Sequence, residues 1–396
     1  MILGQNIKRV YNNGKEIRRV HSYGKLVWEK LDYSVVPFSV RAIDDYVDIE
    51  LHYAYKQGSG GAIDGEETIA DFKYSINGAE WYISIGESIR IHKNEVVNII
   101  ASNIFFCKIK GTCDIYGNIM SLLYGDNFVG QTSWLELPSG YARLGFFEGC
   151  DIRKADNLIL PATTLTRACY SYMFLNCSSL ISAPELPATT LTEYAYAGMF
   201  QNCTSLTAPP VIAATKMGMY CCQRMFQNCI SLTTAPELPA TTLAEECYSY
   251  MFLNCSNLTN IPEKLPATTL KEACYAHMFQ GCSSLTTSPK LPATTLSGNC
   301  YIGMFQNCTS LTASPDLPAN YLAYACYMDM FKGCSKLNYV KCSAYQLAGG
   351  VNSFDEGVDG WLSGVSPTGT FVCLRINNTN PLLDYIPSTW TVEYLN

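Results

Sequence analysis

The chain has 396 residues, more than one typical domain, and its apolar fraction of 48% is large enough for more than one hydrophobic core. Its 27 basic and 34 acidic residues give a net charge of −7, which argues against nucleic-acid binding by the whole surface. The charge is uneven, because residues 1–30 carry seven bases and two acids, a net +5, and the remainder carries −12. This distribution predicts either a basic segment that docks on an acidic partner or a solvated hairpin.

The basic residues 1–30 have the pattern of short strands joined by tight turns. The predicted strands are Ile7–Tyr11, Glu16–His21 and Leu26–Trp28, with an Asn-Gly pair in the first turn. Asn-Gly is the strongest short hairpin signal, because both residues adopt positive φ easily. Such a hairpin can pair onto the edge of another sheet or cover its own domain, and both interpretations stay open. The residues assigned to assembly docking are Arg9, Arg18, Arg19 and Trp28.

Residues 31–130 alternate between apolar and polar side chains with a period of two, which is typical of half-buried strands. Several short strands separated by turn residues favour a β-sandwich-like domain. The predicted strands are Phe38–Arg41, Val47–Tyr53, Phe72–Ile76, Trp81–Ile85, Ser88–His92 and Val96–Ile100.

The C-terminal half repeats itself with a period of 26 or 27 residues. Each unit contains Leu-Pro-Ala-Thr-Thr-Leu, then Cys-Tyr, and then Met-Phe-x-Asn/Gly-Cys. A fixed period of this length is the signature of a repeat architecture in which neighbouring units bury one another's apolar side. The cysteine that ends each unit recurs at Cys150, Cys177, Cys203, Cys229, Cys255, Cys282, Cys308 and Cys334.

Within one unit, the apolar residues from Leu165 to Cys177 have offsets of 0, 4, 5, 8, 9 and 12. This spacing predicts one face of an α-helix, with Thr163–Thr164 as its N-cap. The proline-bearing link, residues 180–187, predicts a short strand or a polyproline segment. One helix and one short extended piece per unit is the geometry of a leucine-rich repeat.

The 19 cysteines fall mainly into two columns of equivalent positions. Ala195 replaces cysteine once in the second column, as a small buried apolar side chain permits and a disulfide or metal ligand does not. We therefore predict buried free thiols. The sequence contains no Cys-x-x-Cys spacing and only four histidines, so no metal site is expected. The second column is Cys169, Ala195, Cys221, Cys247, Cys274, Cys300 and Cys326.

Two positions per unit vary in side chain: the residue before the first cysteine and the residue before Met. Because both lie off the apolar stripe, they are expected to project outward in a regular array. Aromatic side chains with scattered charges suit glycan or protein surfaces, although drift on a solvated face gives the same pattern. The candidate ligand-facing residues are Tyr172, Tyr194, Tyr220, Arg224, Glu246, Tyr250, His277, Asn299 and Asp329.

The units in residues 160–337 resemble BspA-type leucine-rich repeats, which occur in surface proteins of Bacteroidales and in phages of these bacteria, crAss-like phages among them. Residues 117–128 are similar to the segment that leads into such repeats, and residues 361–392 contain motifs similar to the family's closing cap. One unit departs from the pattern, since residues 211–217 lose the Leu-Pro-Ala-Thr-Thr-Leu motif and Cys222 replaces the usual Tyr. The resemblance implies adhesion or recognition.

No nucleophile elbow, zinc-protease helix or dinucleotide fingerprint occurs, so neither catalytic residues nor cofactors are predicted. The chain has no signal-peptide pattern and no apolar stretch long enough to span a membrane. Residues 1–30 also resemble N-terminal segments of phage tail and virion proteins. Our first hypothesis is therefore a non-catalytic virion protein that contacts a host-surface glycan or protein through its repeats and binds other virion proteins through its N-terminal segment.

Two alternatives stay open: a bacterial cell-surface adhesin of the same repeat family, and a carbohydrate-active enzyme built on residues 31–130. Homo-oligomerisation is also left open. The fold class predicted is multidomain, an N-terminal β-hairpin and β-sandwich-like domain followed by an α/β leucine-rich-repeat solenoid with a C-terminal cap. The predicted boundaries are 1–30 for the hairpin, 31–130 for the β-domain, 131–345 for the repeats and 346–396 for the β cap.

Overall fold

The chain forms two compact units, one of Met1–Leu135 with Asp151–Ala162 and one of Glu136–Cys150 with Thr163–Asn396. A computed structural model describes residues 6–12, 15–22, 25–27, 32–53, 69–133, 145–347, 353–376 and 380–395.

The first unit begins with a three-stranded antiparallel sheet in the order β1-β2-β3, which confirms the strands predicted for residues 1–30. Its register places Lys8 opposite Arg19 and Arg9 opposite Arg18. The strands are β1 (Asn6–Asn12), β2 (Lys15–Ser22) and β3 (Lys25–Val27).

The six strands predicted for the following region are all present, and they form antiparallel pairs. Their alternation follows the prediction, because Val47, Ile49 and Leu51 are fully buried while the residues between them are partly exposed. The strands are β4 (Phe38–Ala42), β5 (Tyr46–Tyr53), β6 (Phe72–Ile76), β7 (Tyr82–Ser84), β8 (Ile89–His92) and β9 (Val96–Ile100).

Three further strands of this unit were not predicted. The first is β10 (Ile104–Lys110), whose pairing with β5 shifts register between Ile104 and Phe106, so its alternation is interrupted. The next two, β11 (Cys113–Asn118) and β12 (Ile152–Ile159), pair in parallel. The result is a three-stranded sheet, β10-β5-β8, and a six-stranded sheet, β12-β11-β4-β9-β6-β7.

The helix predicted from Leu165 to Cys177 is wrong, and so is its N-cap at Thr163–Thr164. This segment and its equivalents in the other repeats are chains of tight turns. Every fourth residue, starting with Ala168, Tyr172 and Asn176, has a φ near +60°. An α-helix has no place for such residues, because all its residues are right-handed.

Backbone hydrogen bonds show what replaces the helix. The backbone N–H groups fall into two sets that alternate along the segment. In the first set, for example at Ser171, the N–H donates to the carbonyl three residues earlier in the same repeat. The N–H groups of the other set donate to the next repeat, as in Tyr172 N to Ala197 O at 2.8 Å and Phe174 N to Met199 O at 2.8 Å. About half of the N–H groups therefore donate to carbonyls of the next repeat. Those carbonyls are not available for the hydrogen bonds within the segment that an α-helix needs.

The proline-bearing links lie side by side in successive repeats through isolated parallel bridges, such as Leu186 with Ile212 and Thr190 with Lys216. The prediction of a short extended link is confirmed, although most links pair at single residues and do not form strands. Proline explains this limit, because it removes the backbone donor that a continuous ladder needs.

Buried side chains form continuous columns along the repeats. A column of phenylalanine rings runs from Phe147 to Phe331 with centroid separations of 5.5 to 5.7 Å, and its rings are buried. A tyrosine column lies beside it and ends on Trp361, which stacks on Tyr327 at 6.3 Å. The repeats therefore bury their rings against the neighbouring repeats, since one repeat has too few partners of its own.

The two cysteine columns are buried and all 19 cysteines are free thiols, as predicted. In the first column each thiol from Cys177 to Cys334 donates to a phenylalanine carbonyl of the preceding repeat, for example Cys203 Sγ to Phe174 O at 3.1 Å and Cys229 Sγ to Phe200 O at 3.1 Å. In the second column the one comparable bond described, Cys326 Sγ to Gly357 O, is long at 3.9 Å. The hydrogen bond explains why cysteine fills the first column without exception, whereas Ala195 is accommodated in the second.

The C-terminal part of the second unit forms two parallel sheets, β13-β15-β17-β18 and β14-β16. Residues 357–363 continue the turn pattern onto the last repeat, as in Phe331 N to Trp361 O at 2.9 Å. The strands are β13 (Ala313–Leu317), β14 (Tyr321–Leu322), β15 (Tyr339–Cys342), β16 (Gln346–Leu347), β17 (Thr370–Leu374) and β18 (Thr391–Leu395).

Helices are few in the described part of the chain. One α-helix, α1 (Asp355–Val358), is a single turn. The short 3₁₀ helices are Tyr33–Val35, Ile119–Leu122, Gly125–Asn127 and Pro381–Tyr385. The molecule is thus rich in strands arranged in several sheets and poor in helices, so the α component of the predicted fold class is wrong. Within the described ranges, no helix has both the length and the apolar character needed to cross a bilayer.

Candidate functional site

The two variable positions of each repeat coincide with left-handed residues of the turns. We define the first surface column as Ala168, Tyr194, Tyr220, Glu246, Ala273, Asn299 and Ala325. We define the second surface column as Tyr172, Gly198, Arg224, Tyr250, His277, Gly303 and Asp329. Every one of these residues has a φ between 48° and 58°.

This backbone conformation is unfavourable for large side chains. A left-handed residue other than glycine costs roughly 1–2 kcal/mol, less for asparagine and aspartate. Tyrosine, arginine, glutamate and histidine nevertheless occupy these columns. Steric preference alone would select glycine or asparagine there, so other interactions must hold the bulky side chains in place.

The nine candidate ligand-facing residues differ in exposure. Arg224 is exposed, and the other eight are partly buried. The prediction that these side chains project fully outward is therefore too simple. Most of these nine side chains lie flat against the equivalent position of a neighbouring repeat, and Ala168 and Ala325 of the first column are buried.

Two tyrosines of the first surface column form a stack of three side chains together with Arg167, which lies next to the column. The guanidinium of Arg167 lies 5.3 Å from the ring centroid of Tyr194, and Tyr194 stacks on Tyr220 at 4.7 Å with an interplanar angle of 4°. Arg167 also pairs with Glu193 at 3.1 Å. Beyond Tyr220 comes Glu246, whose nearby carboxylate raises the pKa of the Tyr220 phenol. Positive and negative groups therefore lie at opposite ends of this stack.

The carboxylate of Glu246 is fixed by two polar neighbours. Gln223 Nε2 donates to Glu246 Oε2 at 2.7 Å, and Ser249 Oγ approaches the same oxygen at 3.3 Å. These bonds hold the carboxylate in one orientation at the surface. A fixed acceptor of this kind can bind hydroxyl or amide donors of a ligand without losing further side-chain entropy.

The second surface column contains a second stack. Arg224 lies over the Tyr250 ring at 5.1 Å, and Tyr250 stacks on His277 at 4.7 Å with an interplanar angle of 13°. The His277 ring then covers Gly303, where a Cβ would overlap it. Burial lowers the pKa of His277, and its buried Nδ1 has no hydrogen-bond partner.

The glycines of the second column make room for the preceding side chain. A Cβ at Gly198 would overlap the ring of Tyr172, and a Cβ at Gly360 would overlap the carboxylate of Asp329. Because the stacked rings cover one another's faces, a ligand meets ring edges, hydroxyls, Arg224 and Glu246. The arrangement favours recognition by hydrogen bonds and charge over stacking of a sugar ring on an aromatic face.

A third column of left-handed residues was not identified from the sequence. It contains asparagine or glycine in every repeat, the two residue types best suited to this conformation. Its side-chain amides form a ladder: Asn202 donates to Asn176 at 2.6 Å, Asn228 to Asn202 at 2.8 Å and Asn254 to Asn228 at 3.0 Å. The signal was present in the sequence as Asn-Cys or Gly-Cys at one fixed position. The column is Asn176, Asn202, Asn228, Asn254, Gly281, Asn307 and Gly333.

The repeat that departs from the consensus is compensated in the core. Cys222 takes the place of a tyrosine in the buried tyrosine column, and Met217 takes the place of a leucine. The hydroxyl of Tyr248 lies 3.7 Å from the Met217 sulfur. The flexible thioether of Met217 therefore contacts the buried tyrosine of the next repeat.

The predicted docking residues lie in the N-terminal sheet. Arg9 is on β1, and Arg18 and Arg19 are on β2, so all three are in the same small sheet. Trp28 lies outside the described residues. Among the residues that the structure describes, no group of three or more His, Cys, Asp or Glu side chains is arranged to hold a metal ion.

Comparisons of the chain with protein-family models, with curated proteins and with solved structures give no match.

Proposed function

We propose that this chain is a non-catalytic recognition protein whose repeat region, a leucine-rich-repeat solenoid resembling the BspA type, binds a glycan or protein on a host-cell surface. We further propose that it is part of a phage virion, with its N-terminal segment attached to other virion proteins and a β-sandwich-like domain between that segment and the repeats. The resemblance of the repeats and of residues 1–30 supports this assignment.

One observation carries the recognition role: in six of the seven repeats, a bulky or charged side chain occupies a left-handed position of the two surface columns. A protein selected for stability alone would place glycine or asparagine there, as the third column does. Backbone strain retained at a regular surface array is what a binding function predicts. The constant turn frame holds the positions, and the side chains of the two surface columns vary.

A binding experiment tests this proposal. Labelled full-length protein is titrated onto cells of a panel of Bacteroidales strains, and the variant Tyr220→Ala/Arg224→Ala/Tyr250→Ala is expected to bind at least tenfold more weakly. The matched control is Tyr321→Ala/Tyr324→Ala, which removes exposed tyrosines of the same unit outside both columns. Equal weakening of cell binding in the triple variant and in the control, or complete loss of binding in both, would contradict the assignment of the columns.

Two treatments of the cells distinguish the ligand classes. Periodate destroys vicinal diols of glycans and is expected to abolish binding of a glycan-specific protein, whereas protease treatment abolishes binding to a surface protein. Location is tested separately, by mass spectrometry of purified phage particles. Recovery of the chain from bacterial envelopes, and not from particles, would favour the cell-surface adhesin.

A further inference from the structure

The largest run of exposed apolar residues in the described part of the first unit lies on β7. This strand is the last one in the six-stranded sheet, with β6 as its single partner. Tyr82 and Ile83 of the strand are 51% and 68% exposed, and the flanking residues Trp81 and Ile85 are 45% and 73% exposed. Ser84 is the one buried residue of the strand, so β7 and its flanks expose apolar side chains along the sheet edge.

An edge strand of this kind is open to pairing with another strand. Natural edge strands are usually protected by being short or by charged side chains, proline or a bulge, because their free N–H and C=O groups form a template for association. Strand β7 is short, with three residues, and it has none of the other protections. Residues 81–85 contain no charge and no proline. The opposing residue Lys73, which pairs with Ile83 in the register, is neutralised by Asp126 at 2.6 Å.

Acidic side chains border this apolar edge. Glu80 precedes it and Glu87 follows it, and both are exposed. Neither carboxylate forms an ion pair among the described residues. A strand that pairs here therefore gains most if it is apolar and carries positive charge beside its apolar residues.

The N-terminal sheet of the same chain has these properties. Its terminal strand β3 carries Lys25 next to Leu26 and Val27, and residues 1–30 have a net charge of +5. Carboxylates of a partner would be attracted to this positive charge.

We propose that β7 is the docking edge for the N-terminal three-stranded sheet of a second copy of this chain, with β3 pairing on β7. Antiparallel pairing of two β7 strands is disfavoured, because it would place Glu80 and Glu87 of the two copies near one another. The contact joins two different surfaces, so it is head-to-tail and builds a ring or a linear array. This inference rests on the docking role proposed for residues 1–30 and names the partner; it does not depend on ligand binding by the repeats.

Sedimentation velocity of the full chain tests the contact. We expect species larger than the 43.9 kDa monomer, with a share that rises with concentration and falls with added salt. The acceptor variant Ile83→Lys and the donor variant Lys25→Glu/Leu26→Glu should each be monomeric alone. Val211→Lys is the matched control, since Val211 is 78% exposed and lies in the repeats, and it should assemble like the wild type.

Mixing the two variants gives the decisive result. The donor variant keeps an intact β7, and the acceptor variant keeps an intact β3, so an equimolar mixture should form a dimer and nothing larger. This result also shows that both variants are folded. A wild type that stays monomeric, an assembly unaffected by both variants, or a mixture that stays monomeric would overturn the proposal. Host-cell binding by the monomeric variants reports on the repeats alone, so the two proposals fail independently.

Discussion

The two units bury apolar side chains by different means. In the first unit, strands such as β5 and β9 alternate with a period of two and pair mainly with antiparallel neighbours. In the repeats, four-residue turns direct alternate N–H groups into the next repeat, and the buried rings stack in columns. A strand in the sheets needs a partner of complementary pattern, whereas a repeat needs a copy of itself. Changes to single residues should therefore have different consequences in the two units.

The largest expected effect is a difference between the two units in how their stability depends on pH. Most cysteines lie in the repeats, where burial raises the pKa of their thiols. The pKa values of Cys255 and Cys274 are raised from 9.0 to about 12. Below pH 9 these thiols are protonated in both states, and the stability that their burial contributes is fully present. Above pH 9 the unfolded chain gains thiolates that the folded chain resists, so stability falls progressively up to about pH 12.

Limited proteolysis with an alkaline-stable protease measures this effect. At pH 7 both units should resist cleavage, and at pH 10 the first cuts should fall in residues 163–342. Cleavage that starts in β4 to β9 at pH 10 would show that the thiol columns do not limit stability.

The next largest effect comes from the phenylalanine column. Phe226 is fully buried and stacks on Phe200 at 5.6 Å and on Phe252 at 5.5 Å. Phe226→Ala should destabilise the second unit by about 3–5 kcal/mol, because the ring is lost together with its contacts in two other repeats. Urea denaturation measures the change. Ile230→Ala, at an exposed residue of the same repeat, is the control and should change stability by less than about 0.5 kcal/mol.

A smaller change in stability, at Asn228, distinguishes a left-handed turn from a helix. This residue has a φ of 60° and exchanges amide hydrogen bonds with Asn202 and Asn254. Asn228→Ala should cost about 2–3 kcal/mol from strain and lost hydrogen bonds, and Asn228→Gly should cost about 1 kcal/mol less. In a helix the order would be reversed, because alanine is favoured over glycine by about 1 kcal/mol. Chemical denaturation of both variants decides between the two.

The smallest predicted effect compares the two cysteine columns. Cys203→Ala removes the hydrogen bond to the Phe174 carbonyl and leaves a small cavity, for a cost of about 1–2 kcal/mol. Cys247→Ala should cost about 0.5–1 kcal/mol less, because alanine already occupies this column at Ala195. Equal costs would mean that the thiol hydrogen bonds contribute nothing measurable to stability.

The sequence predicted the parts of the fold that depend on simple periods. Strands β6 and β9 match their predicted bounds, β6 because its apolar and polar residues alternate without interruption and β9 because it is rich in β-branched residues. The cysteine columns also followed from the repeat length alone. Strand β10 was missed since its register shift breaks the alternation.

The helix was predicted wrongly because a four-residue period resembles that of an α-helix over one short segment. Four residues of a helix turn by about 400°, so a strict four-residue pattern drifts by about 40° each time. Glycine at Gly198 and Gly303, and asparagine or glycine at one fixed position, argued for left-handed residues instead. Which repeat accepts each N–H depends on contacts between distant residues, and no local pattern contains that information.

The sequence identified the variable positions that form the surface columns, but it did not predict their conformation and contacts. Stacking of Tyr194 on Tyr220 and of Tyr250 on His277 depends on the distance between repeats, which follows from the backbone bonds between them. The open edge at β7 was also not identified. Its residues were predicted as a strand, but the order of strands in the sheet determines that the strand lies at an edge.

Far-UV circular dichroism of the purified chain tests the central claim, that left-handed turns and bonds between repeats take the place of a helix in each repeat. We predict a spectrum dominated by sheet and turn, without the paired minima of an α-helix. A helix of about 13 residues in every repeat would make roughly a quarter of the chain helical. A spectrum with that helical content would contradict this claim.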